Sequence, residues 1–136
     1  MLLGSVHSVK QNGGRTYVGT DIGFNVLARP VLYVSYHEIE VYGHSERVLS
    51  ATEPVTVVGN VGESGEIIAK ERALPLIEEG AVLGVADAGA FGMAMSSNYN
   101  CRLRPAEVLI TAGGEDTLIR SRECLEDLTR QFSPGE

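Results

Sequence analysis

Tryptophan is absent, and the reactive residue types are scarce: 136 residues carry two cysteines, three histidines and two lysines. Cys101 and Cys124 stand in dissimilar contexts without the CxxC spacing of a zinc or redox site, so both are expected to be ordinary thiols. His7, His37 and His44 match no standard zinc pattern, and no metal is expected. Basic charge is also short. Eleven Lys and Arg against eighteen Asp and Glu leave a net charge of -7, and no run of like charge occurs. Nucleic acid and anionic membranes both select basic patches, so neither is an expected partner; small molecules or protein are. Nowhere do eighteen apolar residues follow one another, and Leu2 and Leu3 are soon interrupted by His7 and Lys10, so neither a spanning helix nor a signal peptide is expected and the chain reads as cytoplasmic. No internal repeat is present, which excludes a solenoid. Gly62-Glu63-Ser64-Gly65 lacks the final spacing of a hydrolase nucleophile elbow.

What is present is glycine, sixteen of them, between short β-branched runs. Alternation predicts strands over 3–10, 15–21, 38–42, 54–59, 66–71, 82–86, 106–111 and 117–120. Asn12-Gly13-Gly14 is a hairpin signal between the first two, and Ala112-Gly113-Gly114-Glu115-Asp116 joins the last two. Short helices are expected near 74–79, 91–96 and 121–132, the last with Leu125, Leu128 and Phe132 at helical spacing. The fold class is therefore mainly β, an antiparallel barrel or sandwich in one domain over 1–136, with a loose tail over Ser133 to Glu136.

Two groups of residues suit chemistry, and the lysines do not. Asp87 to Asn100, DAGAFGMAMSSNYN, combines small residues that allow close backbone approach, the flat rings of Phe91 and Tyr99, and uncharged hydrogen-bonding groups at Ser96, Ser97, Asn98 and Asn100. Arg29 and Tyr33 lie four apart; a guanidinium and a phenol could together grip a carboxylate, or could be a rim ion pair and a half-buried ring. Lys10 beside a glycine turn and Lys70 among Ala69, Glu71 and Arg72 both look like solvated surface residues.

The order DAGAFG, SSNYN and Arg104-Pro105-Ala106-Glu107, preceded by Asp21-Ile22-Gly23-Phe24-Asn25, Arg29-Pro30-Val31-Leu32-Tyr33, Tyr36-His37-Glu38-Ile39 and Gly62-Glu63-Ser64-Gly65-Glu66, resembles the diaminopimelate decarboxylases. These are pyridoxal-phosphate enzymes of the alanine racemase and ornithine decarboxylase fold group. The resemblance implies the C-terminal Greek-key β-domain of that group, which packs against an N-terminal (β/α) barrel. It implies a cytoplasmic homodimer, an amino-acid substrate in lysine biosynthesis, and pyridoxal phosphate in the complete enzyme. The lysine that holds this cofactor as a Schiff base and the glycine loop that binds its phosphate belong to the barrel, so this chain is expected to bind no cofactor covalently and to be inactive alone.

By the same resemblance Arg29 and Tyr33 hold the distal end of the substrate, and His37 orders the substrate loop. Gly62 to Glu66 occupies the place of the family's Cys-Glu-Ser-x-Asp motif, whose cysteine donates a proton in the opposite subunit's site. Here that position is Gly62, which has no proton to give, while Glu63 remains to recognise substrate. Phe91 stands where the family has a tyrosine whose hydroxyl reaches the cofactor phosphate. The two departures leave open a specialised paralogue acting on another or a carrier-bound amino acid, and a non-catalytic dimerisation or regulatory module.

Overall fold

The computed structural model describes residues 1–43 and 51–132. His44 and the tail over 133–136 lie outside them. The chain divides into two compact units, Met1–Ser96 and Ser97–Glu136.

The first unit is a six-stranded sheet in the order β3-β6-β1-β2-β4-β5. β1 (Leu2–Asn12) is long enough to serve two neighbours. Its first residues pair antiparallel with β6 (Val82–Val85), and from Val6 onward it pairs with β2 (Arg15–Thr20), with a register shift at Val6/Ser8 where the sheet turns. Gly13 and Gly14, both at positive φ, make the hairpin that the Asn-Gly-Gly signal predicts. β3 (Ile39–Tyr42) pairs antiparallel with β6, and β4 (Thr52–Val58) with β5 (Ile67–Pro75). The pairing of β2 with β4 is parallel, a departure from the otherwise antiparallel plan. Parallel neighbours need a long crossover, and here the connection carries a helix and β3.

The sheet curls until its edge strands β3 and β5 come near each other, giving a nearly closed barrel. Arg72 fastens this seam: its Nη1 donates to the His37 carbonyl at 3.0 Å and its guanidinium lies 3.7 Å from the Tyr36 ring centroid. Inside, Val6, Val18, Ile39, Val55, Val57, Ile68, Leu83 and Val85 form the core, with Leu27 and Leu74 also buried. They come from alternate positions of their strands, as period-two alternation requires.

Mainly β architecture with short helices is as expected, but one helix is not. Residues 74–79 form no helix; Leu74 and Pro75 end β5 and the following residues run into a turn. The physical reason is at Glu71, whose left-handed φ of 48° makes a bulge, so that Val55 opposes Arg72 while Val57 opposes Ala69. The bulge shifts the phase of alternation, and Leu74 returns to the core as a strand residue. α2 (Ala90–Ala94) matches the helix expected near 91–96, and the one expected over 121–132 is confined to α3 (Leu125–Thr129). α1 (Arg29–Tyr33) was not predicted from periodicity.

The second unit holds a hairpin of β7 (Glu107–Ile110) and β8 (Asp116–Arg120), followed by α3. Glu123 braces the segment before it, accepting from the Arg104 backbone N–H at 2.8 Å, Arg104 Nε at 2.6 Å and Asn98 Nδ2 at 2.6 Å. The Arg104 guanidinium holds the Glu123 carboxyl below the usual range, and Glu123 in turn raises Arg104. No helix among the described residues is long and apolar enough to cross a membrane.

Candidate functional site

α1 is short because its ends are set by the backbone. Pro30 suits the first turn, where a missing N–H costs nothing, and Val34 stops the helix at φ 56°, ψ 32°. A β-branched residue in the left-handed region is strained, and Val34 is also 90% exposed. Buried Leu27, Ala28 and Pro30 root the helix in the barrel, so that half-buried Arg29 and exposed Tyr33 reach its surface.

Asp87, itself at φ 55°, turns the chain from the end of β6 into α2. Gly92 of α2 packs near Leu27: a Cβ there would make ordinary contacts with Ala88 Cβ at 3.7 Å and Leu27 Cδ1 at 3.9 Å. Leu27 leads into α1 and Gly92 follows Phe91, and Arg29 lies beside Phe91. The guanidinium sits 5.7 Å from the Phe91 ring centroid. The ring is 69% exposed, leaving a flat face for something else to cover.

His37, 3% exposed, ties the segment after α1 to the same place. A carbonyl can only accept, so Nδ1–H donates to the Ala86 oxygen, at 2.9 Å, one residue before Asp87. Tyr36 hydrogen-bonds Glu38, which raises the phenol above its ordinary value.

Gly62 and Glu63 are exposed at the tip of the turn between β4 and β5. Gly62 adopts φ 88°, and beyond its chain neighbours no described residue comes within 4 Å of the place a Cβ would take. Glu63 Oε1 accepts the Ser64 N–H at 3.0 Å, and the Glu63 carbonyl accepts the Glu66 N–H at 3.1 Å. The turn closes on Glu66, which composition and periodicity did not single out. Its buried carboxylate accepts the Val61 N–H at 2.8 Å and the Phe24 N–H at 2.7 Å. The one signal for it was its place at the end of the Gly62–Glu66 motif.

The structure thus brings Arg29, Phe91 and His37 into one neighbourhood and links the Gly62–Glu63 turn to the segment before α1. What the surface offers is a cation that can fork onto a carboxylate, an exposed aromatic face, and an acidic turn. It offers no desolvated amine, since Lys10 and Lys70 are both exposed. Cys101 and Cys124 are exposed free thiols. No group of three or more His, Cys, Asp or Glu among the described residues could hold a metal.

A family model described as the C-terminal sheet domain of pyridoxal-dependent decarboxylases matches residues 1–89. Over 130 residues the chain is 48% identical to the diaminopimelate decarboxylase of Methanothermobacter thermautotrophicus, covering 95% of this chain and 29% of that protein. It is 41% identical over 137 residues to the diaminopimelate decarboxylase of Escherichia coli K12, covering 94% of this chain and 32% of that one. The crystal structure of diaminopimelate decarboxylase from M. jannaschii in co-complex with L-lysine matches with a TM-score of 0.87 and 37% identity, covering 97% of this chain and 30% of that one. The chain spans about three tenths of the length of these relatives.

Proposed function

This chain belongs to the C-terminal sheet-domain family of the pyridoxal-dependent decarboxylases, and on that premise we propose that it is the substrate-binding and dimer-forming domain of an amino-acid decarboxylase acting on diaminopimelate, in lysine biosynthesis. The observation that carries this reading is the pairing of Arg29 with Phe91 at 5.7 Å. It sets a carboxylate-binding fork beside an aromatic face on one surface.

Pyridoxal phosphate, when bound, supplies the electron sink that takes up the electrons left by a departing carboxylate. Its fit to this chain is partial. Phe91 provides an exposed ring to lie against it, but neither exposed lysine suits its covalent attachment, which falls to an N-terminal barrel in the rest of the enzyme. The chain's own work is recognition: Arg29 grips the distal carboxylate of the substrate in bidentate fashion, Tyr33 adds a hydrogen bond, and Glu63 receives its amino group.

The partner surfaces are exposed and apolar. Tyr33, Val34 and Phe91 in the first unit are large apolar side chains left 63%, 90% and 69% exposed. In the second unit Val108, Ile110, Leu118 and Ile119 are all more than half exposed on a two-stranded hairpin, an element marginal by itself in water. A barrel domain and a second copy of the chain are the occupants proposed for these faces.

Gly62 favours a second reading, a paralogue specialised for another amino acid, because that position has no side chain to deliver a proton. One experiment separates the readings. The complete enzyme, with the barrel encoded upstream, is expected to release carbon dioxide from diaminopimelate, whereas the 136-residue chain incubated with pyridoxal phosphate and borohydride gives no adduct at Lys10 or Lys70. A stoichiometric adduct on either lysine, or an upstream stop with no barrel, overturns the proposal; turnover confined to a different amino acid selects the paralogue.

A further inference from the structure

We infer that Glu66 is a positioning residue for the substrate surface, a single buried carboxylate whose two oxygens lock the Gly62–Glu63 turn to the segment that delivers Arg29. This inference rests on the decarboxylase reading for its kinetic consequence, but not for its geometry.

Glu66 is 5% exposed. Oε2 accepts the Val61 N–H at 2.8 Å, immediately before Gly62, and Oε1 accepts the Phe24 N–H at 2.7 Å, forty-two residues away in sequence. Its backbone completes the turn, with N–H donating to the Glu63 carbonyl at 3.1 Å and the carbonyl accepting the Gly59 N–H at 3.3 Å. On the other side, the Gly23 carbonyl accepts from Val26 at 3.0 Å and Leu27 at 3.1 Å, and the Ala28 carbonyl accepts from Val31 at 3.2 Å and Leu32 at 3.0 Å. A continuous run of hydrogen-bonded backbone therefore joins Glu66 to α1 and Arg29.

Two glycines record the space this carboxylate needs. A Cβ on Gly59 would stand 2.3 Å from Glu66 Oε1, and one on Gly23 would meet Val61 Cγ2 at 2.3 Å, Asn25 Oδ1 at 2.8 Å and the same Glu66 oxygen at 2.9 Å. Both loops pass so close to the carboxylate that neither tolerates a side chain at the crossing. A residue that merely capped its own turn would not need Phe24 or the gap at Gly23.

The chemistry needs two acceptors. In Glu66→Gln the amide nitrogen can only donate, so either Val61 or Phe24 loses its acceptor and meets a donor instead, with volume unchanged. Glu66→Asp keeps both acceptors but withdraws them by about 1.5 Å, too far to serve both loops. Gly59→Ala leaves the carboxylate intact and drives it from its seat, while also pressing on the Ile22 carbonyl oxygen at 2.7 Å.

Amide hydrogen exchange on the 136-residue chain reads the geometry, and steady-state kinetics of the complete enzyme read its consequence. Glu66→Gln is expected to speed exchange in 59–66 and in 22–33 together while strands β1 and β6 stay protected. Gly59→Ala should give the same pattern, and Glu66→Asp a weaker version that remains readable if either other variant does not fold. In the complete enzyme each should lower kcat/KM by about ten- to a hundredfold, as small misplacements of binding groups do, mainly through KM. Exchange accelerated only in 59–66, or an unchanged kcat/KM in a folded variant, overturns the inference. If the parent enzyme decarboxylates no amino acid, the proposed function fails instead, and the exchange pattern alone decides the role of Glu66.

Discussion

Replacing Gly62 by cysteine tests whether the missing side chain limits the proposed chemistry. A general acid placed at the reacting carbon contributes typically 10²–10⁴ in rate, so restoring one should lower the barrier by at least about 2.7 kcal/mol. The turn sets a cost against this. Gly62 holds φ 88°, and an L-residue there pays roughly 1–2 kcal/mol in left-handed strain. Beyond its chain neighbours no described residue comes within 4 Å of the new Cβ, so there is no steric term to add. Strain acts on the folded turn, while the proton donor acts on the transition state, and the second effect is the larger. Gly62→Cys in the complete enzyme should therefore raise turnover of diaminopimelate about a hundredfold or more, measured as lysine formed, with slightly lower thermal stability. The rate should also acquire a dependence on a group near the ordinary thiol range, about 8.5. Unchanged turnover, in an enzyme that already works well on another amino acid, would refute the assignment of diaminopimelate and show that the proton comes from elsewhere.

Phe91→Tyr should leave turnover nearly unchanged and tighten pyridoxal phosphate by about tenfold, because a hydroxyl bonding a charged phosphate contributes about 1.5 kcal/mol; a fluorescence titration of the complete enzyme checks this. Arg29→Ala should raise KM for diaminopimelate by roughly ten- to a hundredfold through loss of charged hydrogen bonds. Its melting temperature should change little, because the guanidinium contact with Phe91 at 5.7 Å is near the outer limit of a cation–π interaction. In the second unit the pH dependence is fixed by sign. Arg104 depresses the Glu123 carboxyl, so the network's contribution is fully present above the unfolded carboxyl value and is lost as pH falls through the folded one. Amide exchange in 97–132 should accelerate over that acidic window, and Glu123→Gln should flatten the dependence. The chain alone should self-associate through faces carrying 59–66 and 87–100; sedimentation showing a monomer at all concentrations would count against it.

The strands were legible because each is a local pattern: Thr16, Val18 and Thr20 point inward while Arg15, Tyr17 and Gly19 do not, and that alternation is visible before any fold is known. The Asn12-Gly13-Gly14 turn was equally local. What escaped depended on phase or on distance. Residues 74–79 read as helical because the bulge at Glu71 breaks the two-residue rhythm, and apolar residues on either side of a phase shift imitate a helical spacing. α1 is only five residues long, too short for periodicity to declare itself, and its limits are set by Pro30 and the strained Val34 instead. The parallel pairing of β2 with β4 could not be read from turns, since no turn joins them.

The site divides along the same line. Arg29, Tyr33, Glu63 and Phe91, the proposed site residues, are legible because they sit in recognisable motifs. Glu66 was passed over because its partners are backbone N–H groups, which every residue carries and no sequence pattern distinguishes. Yet the crossing left a trace in the sequence: glycines at 59, where the carboxylate takes the space of a side chain, and at 23, where Val61 and the carboxylate share it. A glycine that lies at ordinary φ and has no room for a Cβ marks a close approach, and the residue occupying that space is the one to question. In this fold that rule leads from Gly59 to Glu66 and from Gly23 to Val61 and Glu66 together, and so joins two loops that alternation and turn chemistry treat as unrelated.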